Sequence, residues 1–221
     1  MIYEREKEHE VHIPVLSDDV NLSGNLYIPD NALGLVLFVH GSGSSRFSPR
    51  NRFVAQYLNS GGIGTLLFDL LTRSEEAADL ISANLRFDID LLSRRLGAAT
   101  DWISSQLDLK NLPVGYFGAS TGAAAAICAS VDRGDVKAIV SRGGRPDMAG
   151  LNLERIKTPI LLIAGGDDYQ VIELNKRAFE SIRIPAKKLE IVPGASHLFE
   201  EPGALDEVAR LAVAWYIQYL H

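Results

Sequence analysis

Five short runs of almost unbroken apolar residues recur along the chain, at 34–40 (GLVLFVH), 63–69 (IGTLLFD), 113–118 (PVGYFG), 136–141 (VKAIVS) and 159–164 (PILLIA). A strand with one wet face alternates apolar and polar side chains. A run without that alternation suits a strand covered on both faces, as in a parallel sheet packed between helices. Segments 9–16 and 21–28 do alternate, and read as two strands joined by a polar turn at 17–19. Segment 187–192 (KKLEIV) reads as a further strand, nearer an edge.

Helical spacing fills the gaps. Leu85, Ile89, Leu92, Leu96, Ala99, Ile103 and Leu107 follow steps of three and four, with Arg86, Asp90, Arg94, Arg95 and Asp101 off that stripe. Leu205, Val208, Ala212, Trp215 and Tyr219 make a similar stripe near the end, and 49–60 and 171–182 are shorter candidates. Segment 118–129 is alanine-rich, as expected where a helix must approach a sheet closely. Repeated strand–helix units imply an α/β fold: a three-layer α/β/α sandwich on a mostly parallel sheet of about eight strands. No internal repeat or linker divides the 221 residues, so a single domain over 1–221 is expected.

Charge and composition narrow the partners. With 22 basic and 28 acidic residues the net charge is −6, which argues against general nucleic-acid binding. The single cysteine, Cys128, can form neither an internal disulfide nor a thiolate cluster, and is expected to be a small buried apolar residue. No H-E-x-x-H or phosphate-loop pattern occurs, so neither a metal nor another cofactor is expected. The start, MIYEREKEHE, lacks an apolar leader core, and no apolar run is long enough to span a bilayer. These features predict a cytoplasmic protein with no membrane partner, as monomer or homodimer.

Ligands of open α/β sheets gather at the carboxyl ends of the strands, so the loops there carry the chemistry. Gly118-Ala119-Ser120-Thr121-Gly122 is a G-x-S-x-G between an expected strand and an expected helix. Alone it is a weak signal, but that context is the one a strained, nucleophile-presenting turn requires. A serine hydroxyl needs a base, and the base needs an orienting acid. His197, in Gly194-Ala195-Ser196-His197, is the candidate base. Asp167 and Asp168, in Gly165-Gly166-Asp167-Asp168, are the candidate acids, with Asp167 alternatively a helix cap or loop brace. His40-Gly41-Ser42-Gly43 offers backbone donors for an oxyanion: the Ser42 N–H is expected to converge with the N–H of Thr121. His40 itself reads as a brace for that loop.

These four loops, in this chain order, resemble the α/β-hydrolase superfamily, nearest to its dienelactone-hydrolase-like branch, over almost the whole length. The resemblance selects Asp168 as the acid and implies an α/β-hydrolase fold without a lid domain. It also implies hydrolysis of an ester or thioester of a small soluble substrate by Ser120, His197 and Asp168, through an acyl-enzyme. One departure is plain: dienelactone hydrolases proper resemble G-x-C-x-G, whereas Ser120 stands here. Acyl transfer on the same triad, or a non-catalytic binding protein that keeps the fold, are the alternatives.

Ser141-Arg142-Gly143-Gly144-Arg145-Pro146-Asp147 follows the 136–141 run, where many relatives insert a lid, but the stretch to 159 is too short for one. Arg142 and Arg145 there suit a substrate carboxylate or phosphate. The plainer expectation for Arg142 is an ion pair with a nearby acid that braces the loop.

Overall fold

The computed structural model describes residues 2–221. Eight strands form one sheet: β1 (Glu8–Val15), β2 (Val20–Tyr27), β3 (Leu35–Val39), β4 (Gly64–Phe68), β5 (Val114–Ala119), β6 (Val136–Arg142), β7 (Ile160–Gly165) and β8 (Lys187–Val192). Their order is β1-β2-β4-β3-β5-β6-β7-β8. β1, β2 and β4 pair antiparallel, while β3 to β8 are parallel throughout. Every residue of β3, β4, β5 and β7 is buried, as the apolar runs require. β8 ends the sheet, and its half-buried pattern matches an edge.

Seven helices cover the faces: α1 (Pro49–Ser60), α2 (Arg73–Ser82), α3 (Ile89–Ser105), α4 (Thr121–Ser130), α5 (Asn152–Arg155), α6 (Tyr169–Ser181) and α7 (Ala204–Tyr219). α1 and α7 pack on one face, over Val36, Phe38, Phe117 and Val140. α3 and α4 pack on the other, over Leu35, Leu37, Val39 and Tyr116. The sandwich therefore has the three expected layers. Ala123, Ala124, Ala125 and Ala126 of α4 are fully buried, so the alanine run does set a close helix–sheet approach.

Several expected boundaries move. The helix after β5 begins at Thr121, not at 118, because β5 continues through Ala119. The stripe from Leu85 to Leu107 is not one helix. Leu85 lies in a 3-10 turn (Leu85–Phe87), and the Asp88 carboxylate accepts the Leu91 N–H at 2.9 Å, fixing the start of α3. Leu107 lies past its end and is 71% exposed. α2 was not anticipated in the sequence, because its apolar pattern is poor. Thr72 starts it with a reciprocal cap to Glu75. Cys128 is only partly buried, and its sulfur accepts from the Asn152 amide at 3.2 Å.

The chain leaves β3 toward β4 on one side through α1, and leaves β5 toward β6 on the other side through α4. The two helices lie on opposite faces, so the carboxyl ends of β3 and β5 flank the crevice where such sheets bind ligands. The glycine-rich loop after His40 and the G-x-S-x-G turn meet there.

Candidate active site

Ser120 sits between β5 and α4 at φ 51°, ψ −122°, a conformation costly for any residue with a Cβ. Close packing of its flanking glycines holds it there. A Cβ on Gly118 would lie 2.6 Å from Ala123 Cα, and one on Gly122 would lie 2.1 Å from the Val39 carbonyl oxygen. The loop after β6 grips the same turn. The Ser120 N–H donates to the Arg142 carbonyl at 3.4 Å, and the Arg145 N–H donates to the Ser120 carbonyl at 2.9 Å. Asn175, fully buried on α6, donates to the Gly144 carbonyl at 3.0 Å and anchors that loop. Neither the grip nor Asn175 has a local sequence signature.

His197 and Asp168, 29 residues apart, meet with His197 Nδ1 2.6 Å from Asp168 Oδ2. Asp168 begins α6, yet its carboxylate caps no N–H of that helix. Asp167 is exposed, and its backbone N–H bonds the Ala195 carbonyl, so it serves as the loop brace. The His197 loop is itself shaped from below. Glu201 accepts the Ser196 N–H at 3.0 Å, and the Gly143 Cα hydrogen side faces His197, where a Cβ would lie 3.7 Å from ring Cε1. Gly143 follows directly on Arg142, whose carbonyl holds Ser120. The imidazole therefore rides on the loop that grips the serine.

His40 braces the opposite loop. Its Nε2 accepts the Leu70 N–H at 3.1 Å, so Nδ1 carries the proton and donates to the Gly41 carbonyl at 3.0 Å. Burial pushes its pKa down, keeping the ring neutral. The Ser42 N–H, expected to be free for an oxyanion, instead donates to Thr121 Oγ1 at 3.1 Å. Ser42 and Thr121 are thus brought together, through the threonine hydroxyl.

The two arginines part company. Arg145 makes a two-pronged pair with Asp147, at 2.9 and 2.8 Å, which leaves it occupied. Arg142 corrects the bracing expectation: among the described residues no carboxylate pairs with it. Its single side-chain bond runs from Nη2 to Asn51 Oδ1 at 3.3 Å, and burial together with nearby Arg50 lowers its pKa to about 10. It stays charged at neutral pH. Arg46, in another carboxyl-end loop, is tied to Asp69 and Glu10.

A cavity of about 620 Å³ opens beside the Ser42 loop, walled by Arg50, Leu71, Arg73, Leu80 and Arg86. None of Ser120, Asp168 and His197 lines it. No lid is inserted after β6, but the segment from α2 to the 3-10 turn gives this side of the site a wall the sequence did not announce. Among the described residues no cluster of His, Cys, Asp or Glu could hold a metal, and no helix is long and apolar enough to cross a membrane.

Comparison with known proteins places the fold. The dienelactone hydrolase of Anabaena variabilis has the same fold with a TM-score of 0.94 at 54% identity, over 97% of this chain and 99% of that one. The esterase domain of a Rhodothermus marinus protein shares the fold at 19% identity, with a TM-score of 0.76 over 97% of this chain and all of that one. A Mycobacterium tuberculosis protein provisionally named phosphoribosyl transferase is 53% identical over 94% of this chain. The chain spans only 46% of that relative's length. The profile described as the dienelactone hydrolase family matches residues 23–217. This chain therefore belongs to the dienelactone hydrolase family.

Proposed function

We propose that the chain is a serine hydrolase that cleaves a carboxylic ester or thioester through an acyl-enzyme. One observation carries this reading: Ser120 occupies a strained turn at the sheet's crevice while Asp168 holds His197 by Nδ1, leaving Nε2 to act as base. In this reading Ser120 Oγ attacks the substrate carbonyl and His197 Nε2 takes its proton. Asp168 fixes the tautomer and stabilises the imidazolium. The Thr121 backbone N–H receives the oxyanion, contributing about 3 kcal/mol to the transition state, and the Ser42 N–H joins it on exchanging Thr121 Oγ1 for the oxyanion. His197 then protonates the leaving group and activates the water that releases the acid.

The transferase name of the longer relative is not carried over, since this chain matches under half of that protein and lies within the hydrolase family. Labelling tests the proposal. A fluorophosphonate should modify Ser120 stoichiometrically, with an acyl burst on activated esters. A folded protein that takes no label, or takes it elsewhere, overturns the reading.

A further inference from the structure

Asn175 is the polar member of the buried stripe of α6, among Val171, Ile172 and Ala178. Its Nδ2 donates to the Val171 carbonyl at 2.8 Å, one turn back in its own helix, and to the Gly144 carbonyl at 3.0 Å. Both partners are acceptors, so the amide nitrogen must face them. Its Oδ1, also buried, has no hydrogen-bond partner among the described residues. A buried polar atom left unpaired is costly, so the amide stands here for its donors and not for its packing.

Those donors lead to the oxyanion. A peptide group is rigid and planar, so its C=O and the N–H of the next residue point opposite ways and turn together. The Gly144 carbonyl held by Asn175 shares its peptide with the Arg145 N–H, which donates to the Ser120 carbonyl at 2.9 Å. The Ser120 carbonyl in turn shares its peptide with the Thr121 N–H. That N–H is the first of α4, and among the described residues it has no backbone acceptor. Two peptide planes therefore connect Asn175 to the oxyanion donor, and each hydrogen bond polarises the next. The link has little slack. A Cβ on Gly144 would lie 2.0 Å from Ser141 Oγ and 2.6 Å from Ala123 Cβ, so its backbone is wedged between β6 and α4. The Arg145 side chain takes no part, being paired with Asp147.

The helix adds a second link. α6 opens at Asp168, which holds His197 Nδ1, and Asn175 follows about two turns later. One element thus carries the anchors of both the base and the oxyanion donor.

We propose that Asn175 is a positioning residue: it fixes the Ser120–Thr121 peptide so that the Thr121 N–H is aimed at the oxyanion before substrate binds. It touches neither substrate nor the reacting atoms. The inference rests on the hydrolase reading for its effect on turnover, but the link itself can be measured without turnover.

The kinetic arm uses a neutral activated ester and Asn175→Leu, close in size to the wild-type side chain. Its kcat should fall about tenfold to a hundredfold with KM within about twofold, because the lost interaction belongs to the transition state. The acid limb of the kcat/KM–pH curve should not move, since Asp168 still holds His197. A kcat within about twofold of wild type in a folded variant overturns the proposal. So does a fall in kcat accompanied by a displaced acid limb, which would route the effect through Asp168. Should Asn175→Leu not fold, Asn175→Ser, one bond shorter, carries the same readings.

The second arm follows backbone amide exchange by NMR. In the wild-type protein the Arg145 N–H should be protected, and exchange at the rate of an unfolded chain overturns the link whatever the variants do. In the variant that N–H should exchange at least about tenfold faster, with the amides of α6 unchanged. An unchanged Arg145 rate overturns the link. A protein that takes no fluorophosphonate and cleaves no ester, yet shows this response, sinks the hydrolase reading and leaves the link from Asn175 to the Ser120–Thr121 peptide standing.

Discussion

Ser42 and Thr121, 79 residues apart in sequence, are joined by a hydrogen bond of 3.1 Å from the backbone N–H of the first to the hydroxyl of the second. It ties the glycine-rich loop after β3 to the first turn of α4. Both sources of oxyanion donors are thereby held in one frame. The bond also engages one donor before any substrate arrives. A hydrogen bond of this kind is worth about 1 kcal/mol net.

If the tie chiefly positions the loop, Thr121→Val lowers kcat about tenfold with little change in KM, and Thr121→Ser retains activity. Steady-state kinetics on a neutral activated ester reads this out. A rise in kcat would show the opposite, that the hydroxyl competes with the oxyanion for the Ser42 N–H.

The adjacent aspartates should differ sharply. Asp168→Asn removes the acceptor that fixes the His197 tautomer and should cost roughly 10⁴ in kcat. Asp167→Asn alters an exposed side chain that does not hold His197 and should stay within about threefold. Equal effects would mean that the acid has been misassigned.

The elbow depends on close backbone approach. A Cβ on Gly122 would lie 2.1 Å from the Val39 carbonyl, against backbone that no side-chain rotation relieves. Gly122→Ala should destabilise the fold by roughly 3 kcal/mol or more, placing it among the severe substitutions. Urea unfolding checks the size, and a change under 1 kcal/mol (about the median for a point mutation) refutes the packing argument.

Arg95 gives a pH dependence with a definite sign. Its guanidinium, 1% exposed, bonds Glu75 at 2.7 and 2.8 Å, Asp18 at 3.1 Å and the Leu70 carbonyl at 2.8 Å. The Arg95 hydrogen bonds hold the Glu75 carboxyl at about 2, below its ordinary 4.5. Because the folded value is depressed, this contribution to stability is fully present above pH 4.5 and is lost as pH falls toward 2. Arg95→Met should cost about 3–5 kcal/mol at neutral pH, since it leaves Glu75 without its cation and Asp18 with only the longer contact to Arg94 at 3.8 Å. It should also flatten the acid limb of a stability–pH curve, and an unchanged limb would rule out the Glu75 assignment.

Much of the frame is legible in the chain itself. The unbroken runs at 34–40, 63–69, 113–118 and 159–164 anticipate β3, β4, β5 and β7 to within a residue or two, because two-sided burial leaves an unmistakable apolar pattern. Ser120, His197 and the Asp167-Asp168 pair are legible because each stands in a short glycine-bearing loop directly after a strand, and the family resemblance picks Asp168 from the pair. α2 is not, since its start depends on a cap between Thr72 and Glu75 and its faces are barely segregated.

The sequence by itself thus determined the layers and the strained turn at Ser120, which follow from periodicity and from local turn chemistry; between Asp167 and Asp168 it was the family resemblance that chose. Only the tertiary structure decided the fates of Arg142 and Arg145. The two lie three positions apart in one glycine-rich loop and look interchangeable on paper. Arg145 points to Asp147, two residues along its own chain, and is neutralised locally. Arg142 is the last residue of β6, so the pleat turns it into the layer beneath α1, where it bonds Asn51 from a distant part of the chain and, among the described residues, pairs with no carboxylate. A side chain's charge is written in the sequence. Whether that charge meets a partner depends on long-range packing, and here packing leaves it buried and unmatched beside the serine.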